Sequence, residues 1–372
     1  MSDLIQTELP GVIQQFNFFG NYKSALPYGM GHINDTYKVI FDNGNGSENH
    51  YILQRINHHV FKHPQEVMSN IGLVTDHLRN KVMEQGGDPS RETLNLIKTY
   101  EGDTLFCTEA GNYWRAYHFI DRTCSYQVPE KTEHVNNAGY AFGNFLRLLA
   151  DFPTNKLVDT IPEFHNTLKR YQTFLQILQA NTHDRAGEVP GEINFLLERA
   201  DDMAVLINAQ EQGTLPERVT HNDTKFNNLM IDVETGKGIC VIDLDTVMPG
   251  LSLYDFGDAI RSITNTGEED EPDLTKVHFN LDYFRHFTEG FASATCDILT
   301  TKEIEYLPFS AKLITMEIGM RFLTDYLDGD NYYKIDYPVH NLDRCRTQFR
   351  LVKEMEEQME AMTSIVESFY RS

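Results

Sequence analysis

The sequence predicts an α+β protein with a small β-rich N-terminal part, residues 1–120, and a larger helical C-terminal part, residues 121–372. Three observations predict this division. Strand-like apolar runs dominate the first part, apolar positions three and four residues apart dominate the second, and one compact hairpin interrupts the predicted helices. A chain of 372 residues is long enough for two such parts with a cleft between them.

The N-terminal part contains five strand-like runs, at residues 16–21, 36–41, 51–56, 93–99 and 113–120. The turn-rich segment 42–47 joins the second and third runs as a hairpin loop. A helix is expected after His63-Pro64, because the next apolar residues recur at helical spacing. These residues are Val67, Ile71, Val74 and Leu78. The pattern predicts a small sheet with one helix.

The C-terminal part begins with three apolar stripes of helical period, at residues 135–149, 164–178 and 193–204. The hairpin follows, with apolar runs at 229–231 and 239–242 and a glycine-containing turn at 234–238. Further helices are expected from there to the C-terminus.

Composition excludes several classes of function. The chain is 41% apolar and 23% charged, which is typical of a globular protein. Its net charge of −23 argues against a nucleic-acid partner, since such proteins carry a basic face. It still permits a nucleotide substrate, because magnesium and a few local cations can neutralise the phosphates. Without a signal peptide or an 18-residue apolar run, we expect a cytoplasmic protein with no membrane partner. Composition does not indicate its oligomeric state.

The five cysteines lack C-x-x-C spacing, which favours free thiols over a disulfide or zinc framework.

One segment indicates a reaction. His221, Asp223 and Asn228 have H-x-D-x-x-x-x-N spacing, and Asp243 follows fifteen residues later at the end of an apolar run. In phosphoryl transfer, such an aspartate accepts the proton of the attacking hydroxyl and such an asparagine holds magnesium. The spacing alone could arise by chance. The hairpin, however, would bring Asn228 and Asp243 together around one cation, so the combination predicts phosphoryl transfer.

The segment from His221 to Gly250 resembles the aminoglycoside phosphotransferase and choline kinase family, and within it most resembles bacterial N-acetylhexosamine 1-kinases. The resemblance implies a two-lobed, protein-kinase-like fold with an ATP cleft between the lobes. It implies Mg²⁺ as cofactor, ATP and a small sugar as substrates, and phosphorylation of the sugar's C1 hydroxyl. Two alternatives stay open: a kinase of choline, homoserine or another sugar, and a non-catalytic nucleotide-binding module.

The resemblance also implies roles near the transferring phosphate. Asp223 would be the base, and Asn228 and Asp243 would hold the metal. Lys225 would stabilise the transferring phosphoryl group, or would be an ordinary solvated lysine. Asp245 would support the metal or the acceptor, or would hydrogen-bond the loop.

In the N-terminal lobe, Gly29 and Gly31 would approach the nucleotide phosphates, or simply form a turn. Arg55 occupies the place of the strand lysine of protein kinases, with Glu66 as its expected helix partner. His32 and Asn34, in the same loop as the glycines, are candidate sugar contacts, or else satisfy backbone groups.

Further along the chain, Arg321 either clamps the sugar hydroxyls or pairs with Asp325, and Tyr332 is a candidate for stacking on the ring. The Asp255-Phe256-Gly257 run is not expected to bind metal, since no apolar strand precedes it. By resemblance Asp255 braces the catalytic loop. The acidic run 268–273 is expected to be a solvated loop.

Overall fold

The computed structural model describes residues 2–29 and 33–371 of the chain. The strands are β1 (Asn21–Pro27), β2 (Asp35–Asp42), β3 (Glu48–Ile56), β4 (Leu96–Ile97), β5 (Phe106–Cys107), β6 (Tyr113–His118), β7 (Thr123–Cys124), β8 (Arg218–Thr220), β9 (Leu229–Asp232), β10 (Gly238–Val241) and β11 (Met248–Gly250). The helices are α1 (Ser2–Ile13), α2 (Pro64–Glu84), α3 (Pro89–Glu92), α4 (Thr132–Leu148), α5 (Thr167–Ala180), α6 (Pro190–Leu197), α7 (Val205–Glu211), α8 (Ser252–Ile263), α9 (Leu281–Thr295), α10 (Thr301–Leu327), α11 (His340–Glu357) and α12 (Met359–Tyr370).

The N-terminal lobe is an antiparallel sheet with strand order β1-β2-β3-β6-β4, and β5 also pairs with β6. Alternation along β3 gives the sheet two different faces. Tyr51 and Leu53 lie in a core cluster with apolar residues of α1, on what we call the outer face. Ile56 belongs to the main core together with α2 and the C-terminal helices, on what we call the cleft face. The face on which a residue lies therefore decides whether it can reach the second lobe.

The strand expected at residues 16–21 is wrong. Phe16 makes only an isolated bridge to Thr99, and the first strand begins at Asn21. Gly20 breaks the run, with a φ of 109° and a position where a Cβ would come within 2.7 Å of the Asp42 carbonyl oxygen. Phe16 and Phe18 instead anchor the outer-face core. The predicted strands at 36–41 and 51–56 and the helix after His63-Pro64 are confirmed as β2, β3 and α2.

The C-terminal lobe is helical and includes the 27-residue α10, which starts with a capping box between Thr300 and Glu303. The predicted hairpin is confirmed as β9 and β10, which pair antiparallel. All five cysteines are free. Among the described residues, no helix has both the length and the apolar character needed to span a membrane.

The acidic run is not simply a solvated loop. Glu269 pairs with the buried Arg261 at 2.9 Å, and Asp270 contacts the buried His340 at 2.8 Å. The run is thus fixed to α8 and α11.

Helices α4 and α9 cross in backbone contact because each contributes a glycine. A Cβ on Gly139 would lie 2.1 Å from the Phe287 carbonyl oxygen, and one on Gly290 would lie 2.0 Å from that of Asn136. Real Cβ atoms do not approach carbonyl oxygens this closely. The crossing therefore requires glycine on both helices.

We expect Gly139→Ala to destabilise the fold by about 1–3 kcal/mol or more, because the two backbones must separate to admit the methyl group. Urea unfolding followed by circular dichroism measures the loss. Gly191→Ala in α6 is the matched control, since a Cβ there meets nothing within 4 Å. Equal midpoints for both variants would contradict the close-crossing explanation.

Candidate active site

The loop that carries Asp223 is held from below by Asp255. The Asp255 carboxylate accepts the backbone N–H groups of His221 at 2.9 Å and Asn222 at 2.7 Å. Thr224 donates its hydroxyl to the Asp255 carbonyl oxygen at 2.6 Å. Asp255 is buried within α8. The expectation that it braces the loop is confirmed, but a short strand, β11, precedes α8 where the sequence predicted none.

The same loop is tied to the turn after β10. His221 Nε2 donates to the Ile242 carbonyl oxygen at 2.8 Å, while its Nδ1 accepts the Asp223 N–H at 3.2 Å. Asn222, in a left-handed conformation with φ of 64°, donates its amide to the Thr246 carbonyl oxygen at 2.9 Å. The loop and the turn that carries Asp243 are therefore one rigid unit.

Asp223 lies between two donors. Lys225 Nζ is 3.0 Å from its Oδ1, and the Asn228 side-chain amide is 3.2 Å from its Oδ2 and 2.8 Å from its carbonyl oxygen. Burial raises the pKa of Asp223, but the charge and hydrogen bond of Lys225 together with other nearby positive groups such as Arg261 outweigh it, and the net pKa lies below the usual range. In turn, Asp223 raises the pKa of Lys225. The pair is therefore ionised at neutral pH, and the carboxylate can accept a hydrogen bond from an incoming hydroxyl.

The hairpin brings the backbone of Asn228 next to the residue before Asp243, because the Ile242 N–H donates to the Asn228 carbonyl oxygen at 2.9 Å. The Asp243 side chain is exposed at the surface, yet the surrounding protein partly desolvates it; this desolvation, then repulsion from Asp245 and Asp223, raises its pKa to about 6. Within the described ranges, the Asp243 carboxylate and the Asn228 side-chain oxygen accept no hydrogen bond.

This donor set suits a hard cation such as Mg²⁺, which prefers oxygen ligands and would relieve the crowding of carboxylates. In the part of the chain that the structure describes, no three His, Cys, Asp or Glu side chains form a closed metal cage. An open set of two protein oxygens fits Mg²⁺, which usually keeps water and substrate phosphates among its ligands.

Asp245 is differently placed. It is 3% exposed, its Oδ1 pairs with Arg115, and its Oδ2 accepts the Asn34 side-chain amide at 2.6 Å. Both oxygens are thus engaged by groups of the N-terminal lobe, which disagrees with the expectation that Asp245 supports the metal. Asn34 in turn accepts the Asn57 N–H at 3.0 Å, so its amide satisfies protein groups rather than standing free for a sugar.

Arg55 does not lie where the sequence predicted. It is opposite Trp114 in the sheet register, on the outer face. Its Nε donates to Asp35 at 2.7 Å and its Nη1 to Asn112 at 3.2 Å. The carboxylate that pairs with Arg55 is therefore Asp35, not Glu66, and the guanidinium points away from the cleft. The prediction failed because strand position does not determine which face a residue occupies.

The glycine loop is described only in part. Gly29 has a φ of 83°, and a Cβ there would meet nothing within 4 Å, so the backbone is open on that side. Gly31 and His32, the other predicted contacts of this loop, lie outside the described residues.

A second cluster lies beside the catalytic loop. His165 links Glu317 of α10, at 3.0 Å, to the Asn222 carbonyl oxygen, at 3.4 Å. One turn further along α10, Arg321 lies over three aromatic rings, with its guanidinium carbon 5.5 Å from the centre of Phe164, 6.0 Å from Tyr332 and 5.8 Å from Tyr333. We call this cluster the arginine pocket; it also includes Arg170, whose pKa is lowered by burial and by the charge of Arg321.

Arg321 does not pair with Asp325, one of the two expected alternatives. The Asp325 carboxylate accepts the backbone N–H groups of Asn331 and Tyr332 through Oδ1, and that of Tyr333 through Oδ2, at 2.8–2.9 Å. Asp325 therefore fixes the turn that presents the two tyrosines. Tyr332 is 68% exposed, so one side of its ring is open to a ligand.

Sequence reasoning missed Arg115, Arg170, His165 and Glu317. Only Arg115 had a usable signal. In the run Trp114-Arg115-Ala116-Tyr117, strand alternation puts Arg115 on the face opposite Trp114. The other three come together only through packing of separate helices.

The fold and the arrangement of the catalytic loop define a kinase-type phosphotransferase. The sequence profile described as "Phosphotransferase enzyme family" matches residues 24–291, and the chain belongs to this family.

Solved structures of similar fold include an amicoumacin kinase in complex with AMP-PNP, Ca²⁺ and its ligand, with TM-score 0.60, 13% identity and coverage of 95% of this chain and 93% of that chain. An aminoglycoside phosphotransferase from Alicyclobacillus acidocaldarius has TM-score 0.60 and 14% identity, with 96% of both chains covered. Plasmodium vivax ethanolamine kinase has TM-score 0.52 and 15% identity, with 87% of this chain and 82% of that chain covered. At these identities the likeness shows the fold alone.

Proposed function

We propose that the protein transfers the γ-phosphate of ATP to a hydroxyl of a small acceptor, with Asp223 as the base. The convergence of Lys225 and Asn228 on the Asp223 carboxylate carries this proposal. Asp223 would orient the hydroxyl and accept its proton, while Lys225 would offset the charge that develops on the transferring phosphoryl group. Mg²⁺ held by Asn228 and Asp243 would neutralise the phosphates.

The arginine pocket supports a choice of acceptor. Among the described residues, neither Arg321 nor Arg170 forms a salt bridge; the hydrogen bond of Arg170 goes to the Phe164 carbonyl oxygen at 3.0 Å. The Glu317 carboxylate offsets only one of their two positive charges, so the two arginines would still disfavour a cationic amine such as ethanolamine. They would instead donate to the hydroxyl and carbonyl oxygens of a neutral acceptor, while an aromatic ring covers the apolar side of a sugar.

We therefore propose an N-acetylhexosamine, N-acetylglucosamine or N-acetylgalactosamine, as the acceptor, phosphorylated at its C1 hydroxyl. The pocket chemistry supports a neutral, oxygen-rich acceptor. The particular sugar and the position of the hydroxyl come from the resemblance of the segment around Asp223 and Asp243 to sugar 1-kinases.

The assay combines the protein, Mg²⁺ and ATP with both N-acetylhexosamines, glucose, choline, ethanolamine and homoserine, and follows ADP release. We expect release with the N-acetylhexosamines and a product without a reducing end. Preference for an amino alcohol, or phosphate at C6 with the reducing end retained, would remove the sugar 1-kinase proposal and leave the kinase assignment. Absence of acceptor-dependent ADP release across a broad panel of alcohols would contradict the kinase proposal itself.

We expect Arg321→Ala to raise the sugar KM or lower kcat/KM roughly 5- to 150-fold, because a buried polar contact is typically worth about 1–3 kcal/mol. The KM for ATP should change little, since in this proposal the arginine pocket binds the acceptor and not the nucleotide. Steady-state kinetics with each substrate varied in turn gives both values. Arg285→Ala, which removes the same side chain from the exposed side of α9, is the control. A larger effect on ATP than on sugar would place Arg321 elsewhere in the mechanism.

A further inference from the structure

The cleft face of the N-terminal sheet carries a buried cation that sequence position did not identify. Arg115 on β6 is opposite Gln54 on β3, and its side chain is 1% exposed. Its Nε donates to the Gln54 side-chain oxygen at 3.0 Å, and the Gln54 amide donates to Thr36 at 2.9 Å. Arg55, by contrast, lies on the outer face with Asp35. The guanidinium that crosses to the second lobe is thus that of Arg115.

We propose that Arg115, Asp245 and Asn34 form an interlobe latch that positions Asp243 and the cleft face of the sheet for nucleotide binding. Arg115 and Asp245 are positioning residues in this proposal, and Asp245 is not a metal ligand. The inference rests on the proposed function, since it concerns the nucleotide side of that site.

The latch depends first on the buried ion pair between Arg115 and Asp245. Burying a charge is unfavourable unless a partner and further hydrogen bonds compensate it. Asp245 has a 2% exposed side chain and receives Arg115 on Oδ1 and Asn34 on Oδ2. With both oxygens satisfied from the N-terminal lobe, a metal would have to displace a buried partner to bind Asp245. Asp243 has no such partner in the described part of the chain.

The second step links the latch to Asp243. Asp243 has a left-handed backbone with φ of 60°, which is uncommon for a non-glycine residue, although aspartate tolerates it better than most. The turn Leu244–Thr246 follows directly. Asp245 fixes one side of this turn to the sheet, and the Thr246 hydroxyl fixes the other to the His221 carbonyl oxygen at 2.7 Å. The position of the Asp243 carboxylate therefore depends on both lobes.

The third step concerns Asn34, which joins the lobes at the solvent-exposed end of the latch. Its side-chain oxygen accepts the Asn57 N–H at 3.0 Å while its amide reaches Asp245 at 2.6 Å. Asn34 is only half-buried, whereas Arg115 is fully buried. Separation of the lobes would break the Asn34 contact more readily than the ion pair. The Asn34–Asp245 hydrogen bond would therefore form when the lobes close on a nucleotide.

Titration calorimetry of the full chain with Mg²⁺ and AMP-PNP tests the latch without turnover. We expect Asn34→Ala and Arg115→Lys to weaken nucleotide binding about 10- to 150-fold, the range for hydrogen bonds to a charged group. Asn34→Ala and Asp245→Asn should be non-additive, because they remove the same contact. Asn45→Ala, in the β2–β3 turn where its side-chain oxygen accepts hydrogen bonds from Ser47, should bind like the parent. Thermal unfolding of each variant confirms that it is folded.

Other results of these measurements would contradict the latch, the proposed function or both. If Asp245 were a metal ligand, Asp245→Asn would raise the Mg²⁺ concentration needed for nucleotide binding, Asn34→Ala would not, and the two effects would be additive. Parent-like affinity in Asn34→Ala and Arg115→Lys would likewise overturn the latch and leave the proposed function standing. If the parent binds nucleotide but phosphorylates no acceptor, the proposed function fails while these affinities still measure the latch. A parent that binds no nucleotide would overturn both.

Discussion

Asp223→Asn should lower turnover about 10²- to 10⁴-fold, the usual contribution of a positioned acid–base group, while MgATP still binds. Asparagine keeps the shape of the side chain, and its oxygen can still accept from Lys225, which lies 3.0 Å from Oδ1 in the parent. It cannot accept the proton of the acceptor hydroxyl at neutral pH. The loop itself should stay in place, because Asp255 and not Asp223 holds the backbone of His221 and Asn222.

The measurement is single-turnover ADP formation with the acceptor saturating, together with nucleotide affinity by calorimetry. Asp297→Asn, at an exposed position after α9, controls for the loss of one negative charge. Turnover within about threefold of the parent would contradict a base role, given the usual size of acid–base effects. Loss of nucleotide binding in Asp223→Asn would show that the change disturbs the site rather than the proton transfer.

The parts of the site that sequence predicted are those that a short stretch of chain assembles by itself. Asp223, Asn228 and Asp243 lie within 21 residues, and a hairpin is the simplest way for the chain to return between them. The geometry followed the pattern because the backbone pairing of β9 and β10 places Ile242 against Asn228. The brace by Asp255 was expected from resemblance alone, since a residue over 30 positions away leaves no mark in spacing.

The arginine on the cleft face of the N-terminal sheet could not be predicted from its position along the sequence. Arg55 sits on a strand at the place where protein kinases have a lysine, yet a shift of one residue along a strand moves a side chain to the opposite face. The sheet register puts Gln54, not Arg55, on the cleft face opposite Arg115. Glu66 is the nearest acidic residue in the next helix, but Arg55 pairs with Asp35 instead. Asp35, its replacement, is the cross-strand neighbour of Arg55, and sequence shows such a neighbour only once strand pairing is known.

The arginine pocket could not be assembled from sequence, because its members come from distant helices and one turn. The sequence shows Arg321 as a charged residue within an apolar helix, but it does not identify the partner of this arginine. Asp325 was a plausible partner at helical spacing, and its carboxylate instead caps the backbone of the turn at residues 331–333. The turn that follows the helix offers backbone N–H groups within reach of this carboxylate, so a nearby guanidinium does not necessarily become its partner.

The other large effect is expected for Asp243→Ala, which should abolish most activity through loss of magnesium binding without lowering stability. The pKa of Asp243 is raised to about 6, above its value in an unfolded chain, so its ionised form destabilises the folded state at neutral pH. Removing the carboxyl group should therefore leave the free energy of unfolding unchanged or slightly higher. Removing Asp255 should do the opposite, because two buried N–H groups would lose their acceptor at about 1–3 kcal/mol each.

Activity across a Mg²⁺ titration and urea unfolding at pH 7 separate the two aspartates. Asp243→Ala should need far more Mg²⁺, or show no activity at any concentration, with a midpoint of unfolding at or above that of the parent. Asp255→Ala should unfold at lower urea, and its folded fraction should retain the Mg²⁺ dependence of the parent. If Asp255→Ala lost its metal dependence while keeping full stability, and Asp243→Ala were the unstable variant, the two roles would be reversed. The contrast is decisive because the Asp243 carboxylate accepts no hydrogen bond within the described chain, whereas Asp255 accepts two from one loop.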